Sequence, residues 1–124
     1  MKEEKFKVIQ FTREFIVRVD KELDNFPRKD FEIKTKIRNC SFELLEMLYE
    51  ANLVKNDIRK SELLERGFAR VKLIDFLLNL SYDKEIISSK KYIKLGSKLN
   101  DIIMYMTGWL KMVNESINKK NNSK

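Results

Sequence analysis

Carboxylates at helical spacing are the side chains of this sequence that could support catalysis. Glu43, Glu46 and Glu50 recur at intervals of three and four, and Glu62 and Glu65 repeat the interval of three. Side chains so spaced share one side of a helix, and the two clusters on neighbouring helices could together hold Mg²⁺ as in all-α nucleotide pyrophosphohydrolases. The alternative is a solvated acidic face, which we favour because this spacing arises in any glutamate-rich helix.

Composition excludes most other catalytic arrangements. The chain has no histidine and a single cysteine, Cys40. The Ser-His-Asp and Cys-His arrangements, the Glu-x-x-His pattern of diiron proteins and the Arg-His pair of helical ribonucleases therefore cannot form. No glycine-rich phosphate loop is present, and Cys40 lies in an apolar helical stripe, where we expect a buried thiol rather than a nucleophile. We predict no catalysis, no metal and no cofactor.

A second group of chemically informative residues is basic. Four lysines crowd the start of the last predicted helix: Lys90, Lys91, Lys94 and Lys98. Their charges oppose one another and the positive N-terminal end of the helix dipole. A helix with a purely structural role would favour acidic residues there, so the lysines indicate an anionic partner. A lysine-rich solvated face is the alternative.

The basic charge is concentrated in one part of the chain. Residues 88–124 contain eight basic residues and two acidic ones, which accounts for +6 of the net charge of +7. Such asymmetry is typical of proteins that bind nucleic acid. Arg66 and Arg70 form a weaker basic row on the preceding helix. No aromatic side chains are interleaved with the lysines, so we predict that the four lysines and two arginines bind phosphates without reading base sequence.

Four amphipathic helices should carry these residues. Apolar positions recur at steps of three and four over residues 3–24, 30–53, 58–82 and 89–117. With 43% hydrophobic and 36% charged residues but only 3 glycines and 1 proline, the composition favours an all-α class. Short links join antiparallel neighbours. We therefore predict one domain, residues 1–117, folded as an antiparallel up-down-up-down four-helix bundle, and a disordered basic tail, residues 118–124.

The last helix has more apolar surface than one core stripe requires. Beside its main stripe lies a second row made of Tyr105, Trp109 and Met112, and the first helix is also apolar on two adjoining sides. A soluble monomer rarely exposes a large apolar patch, so we predict a homo-oligomer held partly by this row. Packing of Trp109 within its own protomer is the alternative.

The sequence carries no sign of membrane insertion or export. No apolar run approaches the roughly 20 residues that a membrane span needs, and no signal segment opens the chain. A single cysteine also forbids an intrachain disulfide. We therefore expect a soluble cytoplasmic protein with no membrane contact.

Several short motifs resemble those of a known family of four-helix bundle proteins. They are Phe26-Pro27-Arg28, Ile37-Arg38, the leucine-rich run 69–80, Ser89 followed by Tyr92, and Gly108-Trp109-Leu110-Lys111. The most specific of these motifs is Gly-Trp-Leu-Lys, because it follows Ser-x-x-Tyr at the distance that is typical of the family. The family includes the accessory variability determinant proteins of diversity-generating retroelements and the proteins encoded in intervening sequences of bacterial large-subunit ribosomal RNA.

That resemblance implies a homopentameric barrel of four-helix protomers whose basic surface binds nucleic acid. For retroelements it also implies a reverse transcriptase partner, with which the accessory protein acts in mutagenic complementary-DNA synthesis. We therefore predict a non-catalytic accessory protein of such a transcriptase. A ribosomal RNA intervening-sequence protein of unknown role and the magnesium-dependent pyrophosphohydrolase remain the alternatives.

Overall fold

The fold consists of four long helices joined by short turns. The computed structural model describes the backbone of residues 2–122 and the side chains of residues 5–122, and it contains no strand in that range. The helices are α1 (Lys2–Leu23), α2 (Phe31–Leu53), α3 (Asp57–Asp83) and α4 (Ser89–Asn122), with a short 3₁₀ turn at Arg28–Asp30 before α2. The predicted all-α class is confirmed.

Proline and two capping side chains set the helix boundaries. Pro27 follows α1 in an extended conformation, with φ −62° and ψ 152°, and it cannot continue a helical hydrogen-bond ladder. The Asn56 side chain caps α3 by accepting a hydrogen bond from the Arg59 amide at 2.9 Å. Ser88 Oγ accepts from the Lys91 amide at 3.2 Å and so caps the start of α4.

The helices form a packed bundle in which each one contacts two neighbours. α1 contacts α2 and α4, α3 contacts α2 and α4, and no diagonal pair makes a close backbone contact within the described residues. Polar side chains join the neighbours at the surface, as where Asn79 of α3 donates to the Tyr92 hydroxyl of α4 at 2.8 Å. The first and last helices of the chain therefore lie side by side.

One hydrophobic core runs through the bundle. α4 contributes six buried residues to it: Leu95, Leu99, Ile102, Met106, Trp109 and Val113. Cys40 of α2 is 1% exposed in the same core, and burial raises the pKa of its thiol, which disfavours the reactive thiolate. The core also contains three buried hydroxyl groups, those of Thr12, Ser41 and Ser81. Each donates a hydrogen bond to the carbonyl four residues earlier, so none of these donors is left unsatisfied by burial.

The end of α4 differs from the prediction. A disordered tail was expected from residue 118, but the helix continues to Asn122, and the last two residues of the chain lie outside the described range. The reason is a contact distant in sequence. Lys120 Nζ and Ser116 Oγ each donate to Asp57 Oδ2 at 2.8 Å, which ties the last turns of α4 to the start of α3.

Close packing at the middle of α3 requires a glycine. A Cβ atom added at Gly67 would lie 2.9 Å from Met106 Cε and 3.4 Å from Leu44 Cδ1, so any side chain there must displace its neighbours. Gly96 of α4 makes a useful contrast, because a Cβ atom at that position would meet nothing within 4 Å.

The Asp57 contacts predict a pH-dependent contribution to stability. The hydrogen bonds from Lys120 and Ser116 favour the carboxylate and lower the pKa of Asp57 below its ordinary value of 3.8. Its contribution should therefore be present above about pH 4 and lost as the pH falls through the folded-state pKa. Asp57→Asn should cost about 1 kcal/mol at neutral pH in urea denaturation, and this difference from the parent should shrink below about pH 4.

Hydrogen exchange provides the local readout for the same variant. Amides of residues 114–122 should lose protection in Asp57→Asn, since their tertiary anchor has gone. Glu115→Gln, in the same turns and exposed, is the matched control and should change neither measurement. Unaltered protection of these amides in Asp57→Asn would contradict the proposed anchor.

The two glycines predict opposite effects of adding a side chain. Gly67→Leu should destabilise the fold by about 1–3 kcal/mol because the core at this position has no space for it. Gly96→Ala should stabilise it by about 0.5–1 kcal/mol, since alanine favours a helix and meets open space. Urea denaturation at equal protein concentration measures both, and a Gly67→Leu protein as stable as the parent would show that α3 is not closely packed there.

Candidate functional site

An open groove lies between α1 and α4 on the described surface. Its volume is about 1200 Å³, and it is lined by residues of these two helices and of the turn before α4. All four lysines predicted from the sequence line it: Lys90, Lys91, Lys94 and Lys98. α1 adds three further cationic side chains to the opposite wall: Arg13, Arg18 and Lys21.

The buried stripe of α4 determines where its lysines lie. Leu95 is 2% exposed and Leu99 is 1% exposed, so their burial fixes the rotation of the helix about its axis. Lys94 and Lys98 each precede one of these leucines, and helical geometry therefore places them at the edge of the core, beside α1. Lys90 and Lys94 are exposed, and Lys98 is partly buried against the groove.

The charge of Lys91 is compensated by a carboxylate in an ion pair, whereas the charges of the other three lysines of the groove are not. Lys91 Nζ lies 2.9 Å from Glu22 Oε1, a contact that also joins α4 to α1. Within the described part of the chain, Lys90, Lys94 and Lys98 form no salt bridge. The described lining of the groove thus contains seven cationic side chains and two carboxylates, Glu14 and Glu22. A strong positive potential follows, and it is accessible to solvent.

Arg66 and Arg70 do not belong to this site. They were expected to assist the lysines, but neither lines the groove. Arg70 Nε instead donates to Glu43 Oε2 at 3.0 Å, across the contact between α3 and α2. The cations that do face the lysines come from α1, which sequence reasoning missed. Knowing that the first and last helices of the bundle are neighbours would have drawn attention to them.

The structure also corrects the predicted subunit contact. Trp109 is 1% exposed and lies within the core of its own protomer, so its side chain is not available to a neighbouring subunit. Tyr105 is partly buried, with its ring centroid 5.4 Å from that of Phe11 and with Lys7 Nζ 5.3 Å above its face. Met112 is also partly buried. The second apolar row of α4 mainly extends the core.

Surplus apolar surface is found on other parts of the bundle. Phe42 is 51% exposed on α2, and Phe76 is 59% exposed on α3. Each has apolar neighbours on its side of the helix at steps of three and four: Leu45 and Tyr49 on α2, and Leu73 and Leu80 on α3. α2 and α3 therefore each carry an exposed phenylalanine within a partly exposed apolar row.

The acidic residues do not converge. Glu43 is paired with Arg70, and Glu50 Oε2 accepts from Arg59 at 2.9 Å. Among the described residues, no group of three aspartate, glutamate, cysteine or histidine side chains has the proximity that a metal ion requires. The carboxylates that could have formed a magnesium site at sequence level are thus used in ion pairs or remain separate on the surface.

Comparison with known families agrees with this architecture. The family model described as bAvd-like matches residues 5–113 of the chain. The protein belongs to the bAvd-like family. The bacterial accessory variability determinant proteins give that family its name, so the resemblance noted from the motifs is confirmed. Among curated proteins, no sequence matches the chain.

The matched region includes every residue of the groove. It extends from Lys5 of α1 to Val113, so it contains both walls and the Gly108-Trp109-Leu110-Lys111 motif, and it ends before the turns that Asp57 anchors. In the described range, no helix combines the length and the apolar composition that spanning a membrane would require.

Proposed function

We propose that this bAvd-like protein is a non-catalytic accessory protein that binds nucleic acid and assists a reverse transcriptase in mutagenic complementary-DNA synthesis. The observation that carries the proposal is the convergence of seven cationic side chains on one groove between α1 and α4. Family membership supports the retroelement role, and the groove supports the class of ligand.

The chemistry of the groove suits phosphate groups. Lysine ammonium groups are flexible point charges that can follow a backbone without a fixed hydrogen-bond geometry, and Arg13 and Arg18 can add paired donors to single phosphates. Lys90, Lys94 and Lys98 follow one another along the helix at intervals of about 6 Å. Because no carboxylate of the described chain is ion-paired with these three lysines, an anion gains their full attraction.

We also propose the topology as a single antiparallel up-down-up-down bundle. Contacts between neighbouring helices support it, because two of them join the end of one helix to the beginning of α4. Glu22 near the end of α1 pairs with Lys91 near the start of α4. Tyr82 near the end of α3 stacks on Tyr92 of α4 with 5.1 Å between ring centroids.

Assembly into a homopentamer is part of the same proposal. Partly exposed apolar rows on two different helices, α2 and α3, support a ring in which one surface of a protomer contacts a different surface of the next. The number five comes from the family resemblance. A ring would repeat the groove around its circumference, and it would also offer a transcriptase a large composite surface.

Charge reversal in the groove should abolish most nucleic-acid binding. The triple variant Lys90→Glu, Lys94→Glu and Lys98→Glu should bind a labelled oligonucleotide at least about tenfold more weakly in fluorescence anisotropy, because the binding is mainly electrostatic. It should also show a shallower dependence of log affinity on log salt, by about 0.9 for each phosphate of B-form DNA that the variant no longer neutralises.

A second triple variant controls for net charge. It reverses three exposed lysines outside the groove, Lys55→Glu, Lys72→Glu and Lys111→Glu, and it should retain affinity within about threefold. Circular dichroism should show the same helicity for both triple variants. If both lose affinity equally, binding depends on overall charge and the groove has no special role.

The apolar rows predict the effect of mutation on assembly. The parent should have a molar mass of five times the 14.9 kDa chain in multi-angle light scattering. Phe42→Asp and Phe76→Asp should each reduce that mass, because a carboxylate would be buried at the interface. Trp109→Phe should leave the mass unchanged, since this residue packs inside the protomer. A monomeric parent at micromolar concentration would contradict the assembly.

A further inference from the structure

The cationic groove also has an apolar wall that phosphate binding does not explain. Phe6 is 69% exposed and Val17 is 61% exposed, and both line the groove on its α1 side. A site that held only phosphates would gain nothing from exposing a phenylalanine ring to water. The lining of the groove therefore includes an aromatic side chain, Phe6 of α1, which the α4 sequence alone did not indicate.

Apolar and cationic side chains follow one another along the same side of α1. Phe6, Arg13, Val17 and Lys21 belong to one helical stripe, with Gln10 completing it, and all of them line the groove. From Phe6 to Lys21 this stripe extends about 22 Å along the helix. The lysine row of α4, Lys90 to Lys98, extends about 12 Å along the opposite wall, beside the Lys21 end of this stripe, where Lys91 pairs with Glu22. A ligand in the groove thus meets charge on one side and a mixed surface on the other.

We propose that the groove binds single-stranded nucleic acid, with its phosphates against Lys90, Lys94 and Lys98 and its bases against Phe6 and Val17. The inference rests on the proposed nucleic-acid binding and specifies its substrate class. A single strand exposes both a charged backbone and flat apolar bases, which matches the two walls. A duplex keeps its base faces stacked inside, so it can use the lysines but not Phe6.

Paired oligonucleotides test this preference directly. A labelled single strand of mixed sequence and the duplex formed with its complement are titrated with the full-length protein in fluorescence anisotropy. The single strand should bind more tightly. Phe6→Ala should weaken single-strand binding by about 5- to 100-fold, the effect of losing one stacked base, and should change duplex binding by less than about twofold.

Phe31→Ala is the matched control. Phe31 is 64% exposed, comparable with Phe6, but it lies at the start of α2 and does not line the groove. This variant should bind both oligonucleotides like the parent. Phe6→Trp should retain single-strand affinity, and emission from the introduced indole should be quenched by the single strand and not by the duplex, while Trp109 remains buried.

The outcomes separate this inference from the proposed function. If the protein binds both forms equally and Phe6→Ala has no effect, or weakens both alike, the single-strand assignment is wrong but nucleic-acid binding stands. If neither form binds, the proposed function itself fails. If neither form binds but an acidic polypeptide such as polyglutamate does, the groove is a protein-docking site and both proposals are overturned.

Discussion

Burial of the apolar stripe of α4 is the constraint on which the rest of the structure depends. Complete burial of a leucine, isoleucine or methionine side chain contributes about 1.5–3 kcal/mol, and α4 buries six large apolar residues along one side. Repulsion between lysines one turn apart costs about 0.2–0.5 kcal/mol for each pair, and a lysine near a helix N-terminus about 0.3–1 kcal/mol. Packing therefore outweighs these penalties, and α4 can hold an electrostatically unfavourable lysine row in a fixed position.

The order of the helices around the bundle then determines what those lysines face. Because α4 packs between α3 and α1, the lysine row lies beside Arg13, Arg18 and Lys21, which are more than 65 positions away in the sequence. The Lys91–Glu22 ion pair joins the two walls at one end, with 2.9 Å between Nζ and Oε1. This one ion-paired lysine helps hold the groove together, and the remaining cations stay available to a ligand.

Local signals made the helix boundaries predictable from the sequence, whereas the contacts between helices could not be predicted from it. Pro27, Asn56 and Ser88 act on their own neighbourhood, and the boundaries of α1, α2 and α3 and the start of α4 consequently fall within one residue of the prediction. Lys120 looked like part of a disordered tail because its partner Asp57 is distant in sequence. Arg70 was expected to bind phosphate together with the lysines. Periodicity shows that its side chain points outward from α3, but it does not show which helix lies next to it.

Trp109 illustrates the same limit within a single helix. A helix that packs against two neighbours needs a wider apolar stripe than a helix that packs against only one. The second row of α4 supplies that width. From sequence alone, such a row cannot be distinguished from a subunit contact. The excess of apolar residues is less obvious in the sequences of α2 and α3. These helices nevertheless carry exposed aromatic side chains in the folded protein, Phe42 on α2 and Phe76 on α3.

The groove has no built-in switch near neutral pH, and this affects how its occupancy could be controlled. The chain has no histidine, the side chain whose charge ordinarily changes in that range, so proton binding offers little control over the groove. Its attraction for an anion depends instead on ionic strength and, in the proposed ring, on how many grooves act together. In the proposed ring, a strand released from one protomer would remain close to the next, because effective concentration rises when sites are linked. A long single strand would then be retained by contacts that are individually weak and quickly broken, which would allow a polymerase to draw the strand through without meeting one tight site.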